Sequence, residues 1–448
     1  MKDQFFSSVG SINRIHFTSR LLLFIAVPFL VTLFAMDFFS HWHHGTHYPL
    51  GIFIGLIASL IAIFSITMQA IKRLNDLGKS PIYSLLIALP LVNILFILFL
   101  MFAPSKRDQF MMSEAKPLLA ITMGDPAGVG PELCINLLNQ PSILSECTPI
   151  IFGDYECLKR VSDELNQPFD AKVISYKESF SRDMFSGQHG FVLDFLNINH
   201  EAFIPGEVSA MTGKVSFQYF DQAIDFALKG LVDGIVTTPI NKLALNLAGI
   251  SYPGHTEILQ TKTEVPSVTM LLTSKTISCS LVTTHIPLSQ VSKSINSERI
   301  YEVIEQTSVA MRSMRSKEIV RLAVLGLNPH SGESGLFGDE EARIIQPAIE
   351  RARSKGMDVI GPLAPDTAFI KQNLERFDAF ICMYHDQGLI PLKLLSFDSA
   401  VNVTLGLPII RTSVDHGTAL DIAWKGLVDS SSLLEAVSLA SSLCVGRH

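Results

Sequence analysis

Three long apolar runs, all within the first 103 residues, constrain the fold of this chain more than any other feature. They cover residues 21–36, 49–70 and 82–103, and none contains a charged side chain. A membrane-spanning helix needs about 20 apolar residues, which the second and third runs reach outright and the first reaches with its polar flanks. A buried core helix could explain one such run, but three in succession favour a bilayer. We therefore predict an all-α transmembrane domain over residues 1–104.

The positively charged residues indicate how this domain is oriented. Those of the first 110 residues lie before the first run, between the second and third, and after the third: Lys2, Arg14, Arg20, Lys72, Arg73, Lys79, Lys106 and Arg107. The positive-inside rule places the N-terminus and the loop at 72–79 in the cytoplasm and the loop at 37–48 outside. Because positive charges bound the third run at both ends and Pro90 lies in its middle, we hypothesise a re-entrant hairpin there. The rest of the chain would then lie in the cytoplasm.

The polar segment after the second run carries a family resemblance. Residues 73–80 read RLNDLGKS, and residues 10–110 resemble the small bacterial inner-membrane family known as domain of unknown function 805, with Asn75 where that family usually has histidine. The resemblance implies a multi-pass location in the bacterial inner membrane, with the lipid bilayer as partner, and no activity. The histidines of the preceding loop could bind a metal, but we interpret them as a solvated loop at the membrane surface: His41, His43, His44 and His47.

After a polar linker at residues 105–116, apolar strand-like runs alternate with segments of helical period. The strand-like runs cover residues 118–123, 149–152, 234–238, 268–272, 278–284, 322–327 and 379–383, and the helical patterns cover 215–229 and 297–314. Such alternation predicts an α/β sheet covered by helices on both faces. We assign residues 117–448 to one catalytic domain.

Charge and cysteine content exclude several classes of protein. The net charge is −7 and no basic stripe interleaved with aromatic residues is present, so we expect no nucleic-acid partner. The six cysteines are scattered without a C-x-x-C pair, which argues against a disulfide framework and against a cysteine-based zinc site. Cys382, inside an apolar run, is predicted to be a buried core residue.

Three histidines in separate polar motifs point to a metal-dependent enzyme. They are His285 in THIP, His330 in NPHSG and His385 in YHDQG. Neutral imidazole is the commonest protein ligand for a divalent transition metal, and three such ligands with open positions describe a catalytic site. All three follow strand-like runs, and ligands bind beyond strand ends in open α/β sheets.

A second set of polar residues suits a small anionic substrate. Lys393, Asn402 and Arg411 follow one another within a short stretch and could hold a phosphate, while His255, Thr256 and Glu257 add further polar groups. Lys393 and Arg411 could be surface charges, but their apolar flanks favour basic groups held against a packed scaffold.

The loop at residues 124–132, GDPAGVGPE, follows the first strand-like run, and its glycines permit a close approach of backbone N–H groups to a ligand. A structural turn from strand to helix explains this loop nearly as well. Its GVGPE half and residues 415–423, DHGTALDIA, resemble the isocitrate and isopropylmalate dehydrogenases. This resemblance implies a two-lobed α/β fold that binds NAD or NADP without a Rossmann fold. The cofactor-binding residues that it implies are Gly124, Asp125, Gly128, His416, Gly417 and Asp421.

Eight motifs in order identify the catalytic domain more closely: GDPAGVGPE, TTPINK, YPGHTE, TTHIPL, LNPHSGESG, GPLAPDT, YHDQGLIPLK and VNVTLGLPIIRTSVDHGTA. Residues 117–448 resemble the 4-hydroxythreonine-4-phosphate dehydrogenase family over essentially their whole length. The resemblance implies a divalent metal (zinc, magnesium or cobalt) on His285, His330 and His385. It also implies that the phosphorylated substrate contacts His255, Thr256, Lys393, Asn402 and Arg411. Finally, it implies a homodimer with metal ligands and substrate contacts supplied across the interface.

The implied reaction is the NAD(P)-dependent oxidation of 4-phosphohydroxy-L-threonine to 2-amino-3-oxo-4-phosphooxybutanoate. This product decarboxylates to 3-amino-2-oxopropyl phosphate on the route to pyridoxal 5′-phosphate, or vitamin B6. A metal at the substrate hydroxyl would lower its pKa and favour hydride departure to the nicotinamide. We expect Asp366 or Asp386 to serve as the proton acceptor, directly or by orienting a histidine.

Three alternatives stay open at the level of sequence. A close relative could oxidise D-threonate or D-erythronate 4-phosphate with the same metal and cofactor. The chain could instead be a membrane-tethered sensor that keeps the catalytic domain as a ligand-binding module, although intact metal and phosphate residues argue against this. Lastly, the catalytic domain could also be made separately from Met111 or Met112.

Overall fold

The computed structural model describes residues 14–40, 48–77, 79–88, 92–102, 116–176, 180–185, 187, 189–198, 203–252, 254–397 and 399–445. The chain forms two compact units, Met1–Ala115 and Lys116–His448. Several sequence predictions lie outside the described residues, namely those on the loop at 41–47, on Pro90, and on the linker with Met111 and Met112.

The N-terminal unit is built from helices. Helix α1 spans Arg14–Ser40, α2 spans Tyr48–Asp76 and α3 spans Val92–Phe102, with a 3-10 helix at Pro81–Ala88 between α2 and α3. The third apolar run is therefore divided between two short helices. At about 1.5 Å per residue, α3 is too short to cross the hydrocarbon core of a bilayer. The re-entrant hairpin stays a prediction, because residues 89–91 lie outside the described part of the chain.

Helices α1 and α2 have the length and the surface of membrane spans. The segments Phe17–Phe39 and Pro49–Asn75 are long and apolar enough to cross a bilayer. Their outward-facing side chains are large and apolar, with Phe34 73% and Leu60 67% exposed. A contiguous surface of this kind is rare on water-soluble proteins and is typical of contact with lipid or another apolar partner.

Small residues allow α1 and α2 to pack closely. A Cβ atom at Gly51 would lie 2.9 Å from the Ala35 carbonyl oxygen, and a Cβ atom at Gly55 would lie 2.5 Å from Thr32 Oγ1. Glycines four residues apart are typical of helix pairs in membranes, where close backbone contact replaces the hydrophobic effect as the driving force.

A buried arginine connects α2 with α3. Arg73 Nε donates to the Leu100 carbonyl oxygen at 2.9 Å, and the arginine side chain is fully buried. Leu100 belongs to the last turn of α3, where carbonyl groups lack a partner within the helix. Arg73 therefore holds the short helix against the long one and satisfies part of its C-terminal end.

In the part that the structure describes, the catalytic unit forms one mixed sheet of 12 strands flanked by helices. The strands are β1 Leu118–Thr122, β2 Thr148–Gly153, β3 Ala171–Ser175, β4 Gly190–Asp194, β5 Gly234–Thr237, β6 Thr269–Thr273, β7 Ser278–Leu281, β8 Arg321–Leu325, β9 Asp358–Leu363, β10 Ala379–Cys382, β11 Val401–Leu405 and β12 Ile410–Val414. The α-helices are α4 Gly130–Leu138, α5 Pro141–Glu146, α6 Tyr155–Leu165, α7 Ala210–Leu228, α8 Lys242–Leu247, α9 His255–Thr263, α10 Leu288–Ser294, α11 Ser297–Arg315, α12 Gln346–Ser354, α13 Lys371–Arg376, α14 His385–Ser396 and α15 Ser431–Val445.

The strand order divides the sheet into two parallel blocks of opposite direction. The order is β3-β4-β2-β1-β5-β12-β11-β6-β7-β10-β8-β9. Strands from β3 to β12 are parallel, as are those from β7 to β9, but the three pairings β12–β11, β11–β6 and β6–β7 are antiparallel. Three reversals leave the second block running against the first. Strands β11 and β6 therefore form the junction between two lobes of one sheet.

The predicted α/β class is confirmed, and each of the seven strand-like runs coincides with a strand. Strands such as β1, β2 and β4 are buried along their whole length, as expected for parallel strands covered on both faces. The helical patterns at 215–229 and 297–314 correspond to α7 and α11. Cys382 is fully buried in β10, as predicted. The sequence analysis missed β3, β4, β9, β11 and β12.

Candidate active site

A cleft of about 500 Å³ opens at the junction of the two lobes. Its walls include Met270 and Leu272 of β6, Asn402 of β11 and Thr237 at the end of β5. All the predicted substrate residues and two of the three predicted metal ligands line it: His255, Thr256, Lys393, Asn402, Arg411, His285 and His385. Residues that are far apart in the sequence thus meet in one site.

Arg411 provides a buried cation in this cleft. Its side chain is held by two threonines: one terminal nitrogen donates to Thr404 Oγ1 at 2.9 Å and the other to Thr237 Oγ1 at 2.7 Å. Arg411 Nε is buried and has no hydrogen-bond partner among the described residues. Burial lowers the pKa of the Arg411 guanidinium to about 9. A cation this poorly solvated favours an anionic ligand, which would compensate the lost hydration.

Two further buried polar atoms of cleft residues lack partners in the described part of the chain. They are His255 Nε2 and Asn402 Oδ1. His255 begins α9, and its ring packs edge-on against Phe220 with centroids 4.7 Å apart. Burial, reinforced by the charges of Arg411 and Lys242, lowers the pKa of His255 well below its ordinary value. Buried polar groups are nearly always satisfied, so these two atoms are candidate contacts for a polar ligand.

The buried His255 should make the stability of the protein depend on pH. In the folded protein the pKa of His255 lies below the ordinary value of 6.5. Below that pH, His255 of the unfolded chain therefore binds a proton that His255 of the folded chain does not bind. Stability is therefore retained above pH 6.5 and is lost as the pH falls, by at most about 1.4 kcal/mol per pH unit from this group. We expect His255→Gln to flatten the decline of the thermal midpoint between about pH 7 and 5. The matched substitution of an exposed histidine, His189→Gln, should leave the decline unchanged, and an equal slope in all three proteins would contradict this assignment.

Lys393 lies at the rim of the cleft on the last part of α14. Its Nζ is 3.2 Å from Asp415 Oδ2 and 5.5 Å from the ring centroid of Phe397. Both contacts hold the ammonium beside the cleft without burying it. Lys393 can therefore supply positive charge to a phosphate while Arg411 contacts it from the interior.

Two predicted metal ligands lie side by side. The rings of His285 and His385 have centroids 5.7 Å apart and planes inclined by 45°. Burial, with smaller contributions from Lys242 and His385, lowers the pKa of His285, which keeps the ring in the neutral form that binds metals. His385 Nδ1 lies 2.7 Å from Asp386 Oδ1, which leaves Nε2 available.

His330 does not line this cleft. It is exposed on the turn Pro329–Gly335, where residues 330–334 all have positive φ and His330 itself has φ 51°. Its ring lies 6.3 Å from that of Phe337. No group of three or more histidine, cysteine, aspartate or glutamate side chains suited to a metal is found among the described residues of the chain. One chain therefore presents two adjacent imidazoles, with the third displaced.

The two carboxylates considered as proton acceptors are placed differently. Both are exposed and neither lines the cleft, but Asp386 contacts His385, which does line it. Asp386 is in position to fix the ring and tautomer of His385, the role that carboxylates commonly have behind metal-binding histidines.

The predicted cofactor residues lie on two loops that pack against each other. Val129 N donates to the Thr418 carbonyl oxygen at 3.0 Å, and a Cβ atom at Gly128 would lie 2.8 Å from the same oxygen. Of the second loop, His416 and Gly417 line the cleft, and a Cβ at Gly417 would have nothing within 4 Å. The space beside Gly417 is therefore open.

In the first of these loops, residues 124–132, the glycine and aspartate residue types are explained by local packing and hydrogen bonding. Gly124 has φ 71°, and a Cβ there would lie 2.3 Å from the Pro239 carbonyl oxygen. Asp125 is buried, and its Oδ1 accepts from Ala127 N at 2.9 Å. Burial raises the pKa of Asp125. Gly124, Asp125 and Gly128 do not line the cleft, and Asp421 is exposed. These residues shape the loops, and His416 and Gly417 are the ones that border the site.

Two charged residues of the cleft received no specific role in the sequence analysis, which named Glu257 only as a further polar group and did not single out Lys242. Lys242, at the start of α8, and Glu257, in the first turn of α9, both line it. Both belong to motifs that were noted, TTPINK and YPGHTE, but a charged residue after a strand is usually solvated. Only the folded arrangement distinguishes them from surface charges.

The chain is similar to several known proteins. The family model described as "Pyridoxal phosphate biosynthetic protein PdxA" matches residues 145–440, and that described as "Protein of unknown function (DUF805)" matches residues 5–110. A 4-hydroxythreonine-4-phosphate dehydrogenase of Desulforapulum autotrophicum is 42% identical over 335 residues, covering 74% of this chain and 96% of the relative. A D-threonate 4-phosphate dehydrogenase of Salmonella typhimurium is 42% identical over 326 residues, covering 72% and 98%.

A solved structure of the same kind of enzyme also matches this chain. The crystal structure of a 4-hydroxythreonine-4-phosphate dehydrogenase from Klebsiella pneumoniae matches with a TM-score of 0.65 and 41% identity, covering 73% of this chain and all of that one. The fold, the cleft and the relatives define an α/β oxidoreductase of the dehydrogenase class. The chain belongs to the pyridoxal phosphate biosynthetic protein PdxA family, and its N-terminal segment matches the DUF805 family.

Proposed function

We propose that this protein oxidises 4-phosphohydroxy-L-threonine with NAD or NADP to 2-amino-3-oxo-4-phosphooxybutanoate, which decarboxylates to 3-amino-2-oxopropyl phosphate. The observation that carries the proposal is the set of buried, unpartnered atoms of three cleft residues: His255 Nε2, Asn402 Oδ1 and Arg411 Nε. A phosphate monoester offers several charged acceptors to the guanidinium and imidazole groups. Thr256 and Lys393, which also border the cleft, would complete its contacts.

A divalent metal (zinc, magnesium or cobalt) fits the adjacent imidazoles of His285 and His385. The lowered pKa of His285 and the Asp386 contact to His385 are the features expected of neutral, oriented ligands. Such a cation would stabilise negative charge on the substrate hydroxyl oxygen as its proton leaves. Asp386 would act by holding His385. His416 and Gly417, at the open side of the cleft, would border the nicotinamide nucleotide.

We propose that the metal site is shared between two copies of the chain. Within one chain His330 is displaced from the other two histidines, so three imidazole ligands require a second source. Helix α14, which begins at His385, carries apolar side chains that are exposed in the single chain: Ile390 67%, Leu394 85% and Phe397 69%. Burying this face against a second copy would give a homodimer whose interface is continuous with the site.

Mixing inactive variants tests the shared site. The three variants His285→Ala, His330→Ala and His385→Ala are mixed in pairs. A heterodimer has one intact site only if the two altered histidines are supplied to each site by different chains. We expect at least one mixture to regain activity, reaching about a quarter of the wild-type rate if subunits exchange randomly, because half of the dimers carry one good site of two. No recovery in any of the three mixtures, with subunit exchange verified by mass, would mean that each site is built within one chain.

We also propose that the N-terminal unit anchors the enzyme in the bacterial inner membrane through α1 and α2, with the catalytic unit in the cytoplasm. Two spans return the chain to the side where it began, and α3, the α-helix described in the third run, is too short to cross again. Cysteines placed at Ser80 and Ser105 should both be protected from an impermeant thiol reagent in intact cells. Labelling at Ser105 alone would show that the third run spans.

The substrate is tested by comparing three compounds. Purified full-length protein in detergent should form NADH or NADPH with 4-phosphohydroxy-L-threonine, and the same compound without its phosphate should react at least about 1,000-fold less efficiently, since two charge-assisted contacts are lost. The S. typhimurium relative, named for D-threonate 4-phosphate, makes that compound the second candidate. A higher kcat/KM for D-threonate 4-phosphate would replace the amino acid as the substrate.

A further inference from the structure

Lys242 and Glu257 line the cleft, and the proposed chemistry leaves both without a role. They border the same position from different helices: a Cβ atom at Gly254 would lie 3.5 Å from Glu257 Oε2 and 3.8 Å from Lys242 Cε. His285 lines the same cleft. The two charges therefore flank the side of the cleft beside Gly254.

Neither charge is neutralised by another side chain in the described residues. The ion pairs of the catalytic unit include Lys262 with Asp221 and Lys393 with Asp415, but none involves Lys242 or Glu257. Asp415, the other carboxylate of the cleft, is thus already paired. Glu257 is half-buried, and Lys242 is exposed at the cleft edge. Opposite charges that border the same position, yet are not paired with each other, leave space for a ligand that bears both signs.

The positive charges of the cleft explain why the ammonium group of such a ligand needs a carboxylate of the protein. Lys242, Lys393 and Arg411 are all positively charged, and a divalent metal would add to them. These charges attract a phosphate and a carboxylate, but they repel an ammonium group. An amino acid phosphate can bind here with its amine protonated only if a negative side chain lies close by. Glu257 is the unpaired carboxylate among the residues that line the cleft.

We propose that Glu257 binds the ammonium group of the substrate and Lys242 binds its carboxylate, so that the cleft selects 2-amino-3-hydroxy acid 4-phosphates over their 2-hydroxy analogues. This inference rests on the proposed function and adds the selection of the amine to it. With Arg411 on the phosphate, these two contacts would hold all three charged groups of the substrate and present the hydroxyl between them to His285 and His385. Glu257 is a specificity-determining residue in this arrangement, and the hydroxyl chemistry belongs to other groups.

The first experiment measures kcat/KM of the full-length protein for 4-phosphohydroxy-L-threonine and for D-threonate 4-phosphate, the 2-hydroxy analogue with the same configuration at C2 and C3. We expect Glu257→Gln to lower the value for the amino compound by about 10- to 100-fold, the size of one lost charge-assisted hydrogen bond, and to change that for the analogue by less than about 3-fold. Lys242→Gln should lower both values, because both compounds carry the carboxylate. An equal loss on both compounds in Glu257→Gln, or no loss on either, would overturn the proposal.

A matched control distinguishes a structural role of Glu257 from a role in substrate binding. An acidic residue in the first turn stabilises any helix, and Glu156 has this position in α6 while being exposed and outside the cleft. Glu156→Gln should change neither kcat/KM. The metal content of Glu257→Gln should equal that of the wild type, and a loss of metal would assign Glu257 to the metal site instead.

A binding measurement keeps this inference separate from the proposed function. Calorimetric titration of both compounds without nucleotide should show Glu257→Gln weakening the amino compound alone. If the wild type binds the amino compound selectively but does not oxidise it, the proposed reaction fails while the recognition by Glu257 stands. If Glu257→Gln binds both compounds as the wild type does, the recognition fails whatever the turnover.

Discussion

Replacing His330 with alanine should abolish turnover and remove the bound metal, although His330 lies outside the cleft of its own chain. A cation that stabilises the developing negative charge contributes several kcal/mol, so we expect kcat to fall by at least about 1,000-fold. Metal content measured by mass spectrometry should fall with it. Because His330 is exposed, the thermal midpoint of the metal-free protein should stay within about 2 °C of the wild type.

Two further variants make this result specific. His330→Asn removes the imidazole but introduces a residue that tolerates the positive φ of this turn. This variant should therefore be as inactive as His330→Ala. His189→Ala, an exposed histidine away from the cleft, should be fully active with normal metal content. Full activity of His330→Ala with metal absent would show that the chemistry does not depend on the metal.

Replacing Arg411 with methionine should have the second large effect. The variant loses the buried cation that two threonines orient into the cleft. Removing one partner of a buried, hydrogen-bonded charge pair costs about 2–5 kcal/mol, so we expect kcat/KM for the phosphorylated substrate to fall by about 1,000-fold. The already low activity on the compound without phosphate should be unchanged, since no contact is lost there.

The stability of Arg411→Met distinguishes a binding role from a structural one. Without ligand, Arg411 is a buried cation with no anionic partner in the described residues, and such a charge is destabilising. The ligand-free variant should therefore melt at the same temperature as the wild type or higher. Inorganic phosphate should raise the midpoint of the wild type and leave that of the variant unchanged. A ligand-free variant that melts far lower would make Arg411 a structural residue.

Much of the fold could be predicted because burial leaves a clear pattern. Strands covered on both faces, such as β1 and β10, are continuous apolar runs, and alternation with helices identified the α/β class. Three of the missed strands lack this pattern. The outer strand β3 has an exposed Lys172, β9 is interrupted by Gly361 and Pro362, and β11 contains Asn402 facing the cleft.

Site residues could be predicted only where the residue type itself indicates a function, such as metal or phosphate binding. Histidines and basic residues in distinctive motifs led to His285, His385, Lys393 and Arg411, which the fold brings into one cleft. Asp366 was a candidate because of its motif, but it is exposed and away from the cleft. Charged side chains such as Lys242 and Glu257 are usually solvated. Their place in the site depends on the packing of helices α8 and α9, which no local pattern encodes.

The most direct measurement is the rate of NADH formation from 4-phosphohydroxy-L-threonine by the full-length protein before chelation, after chelation, and after divalent metal is restored. We expect turnover to disappear with the metal and to return when zinc, magnesium or cobalt is added. An unchanged rate in protein from which all metal has been removed would contradict a metal-dependent dehydrogenase. The absence of turnover with metal bound at His285 and His385 would contradict the proposed substrate.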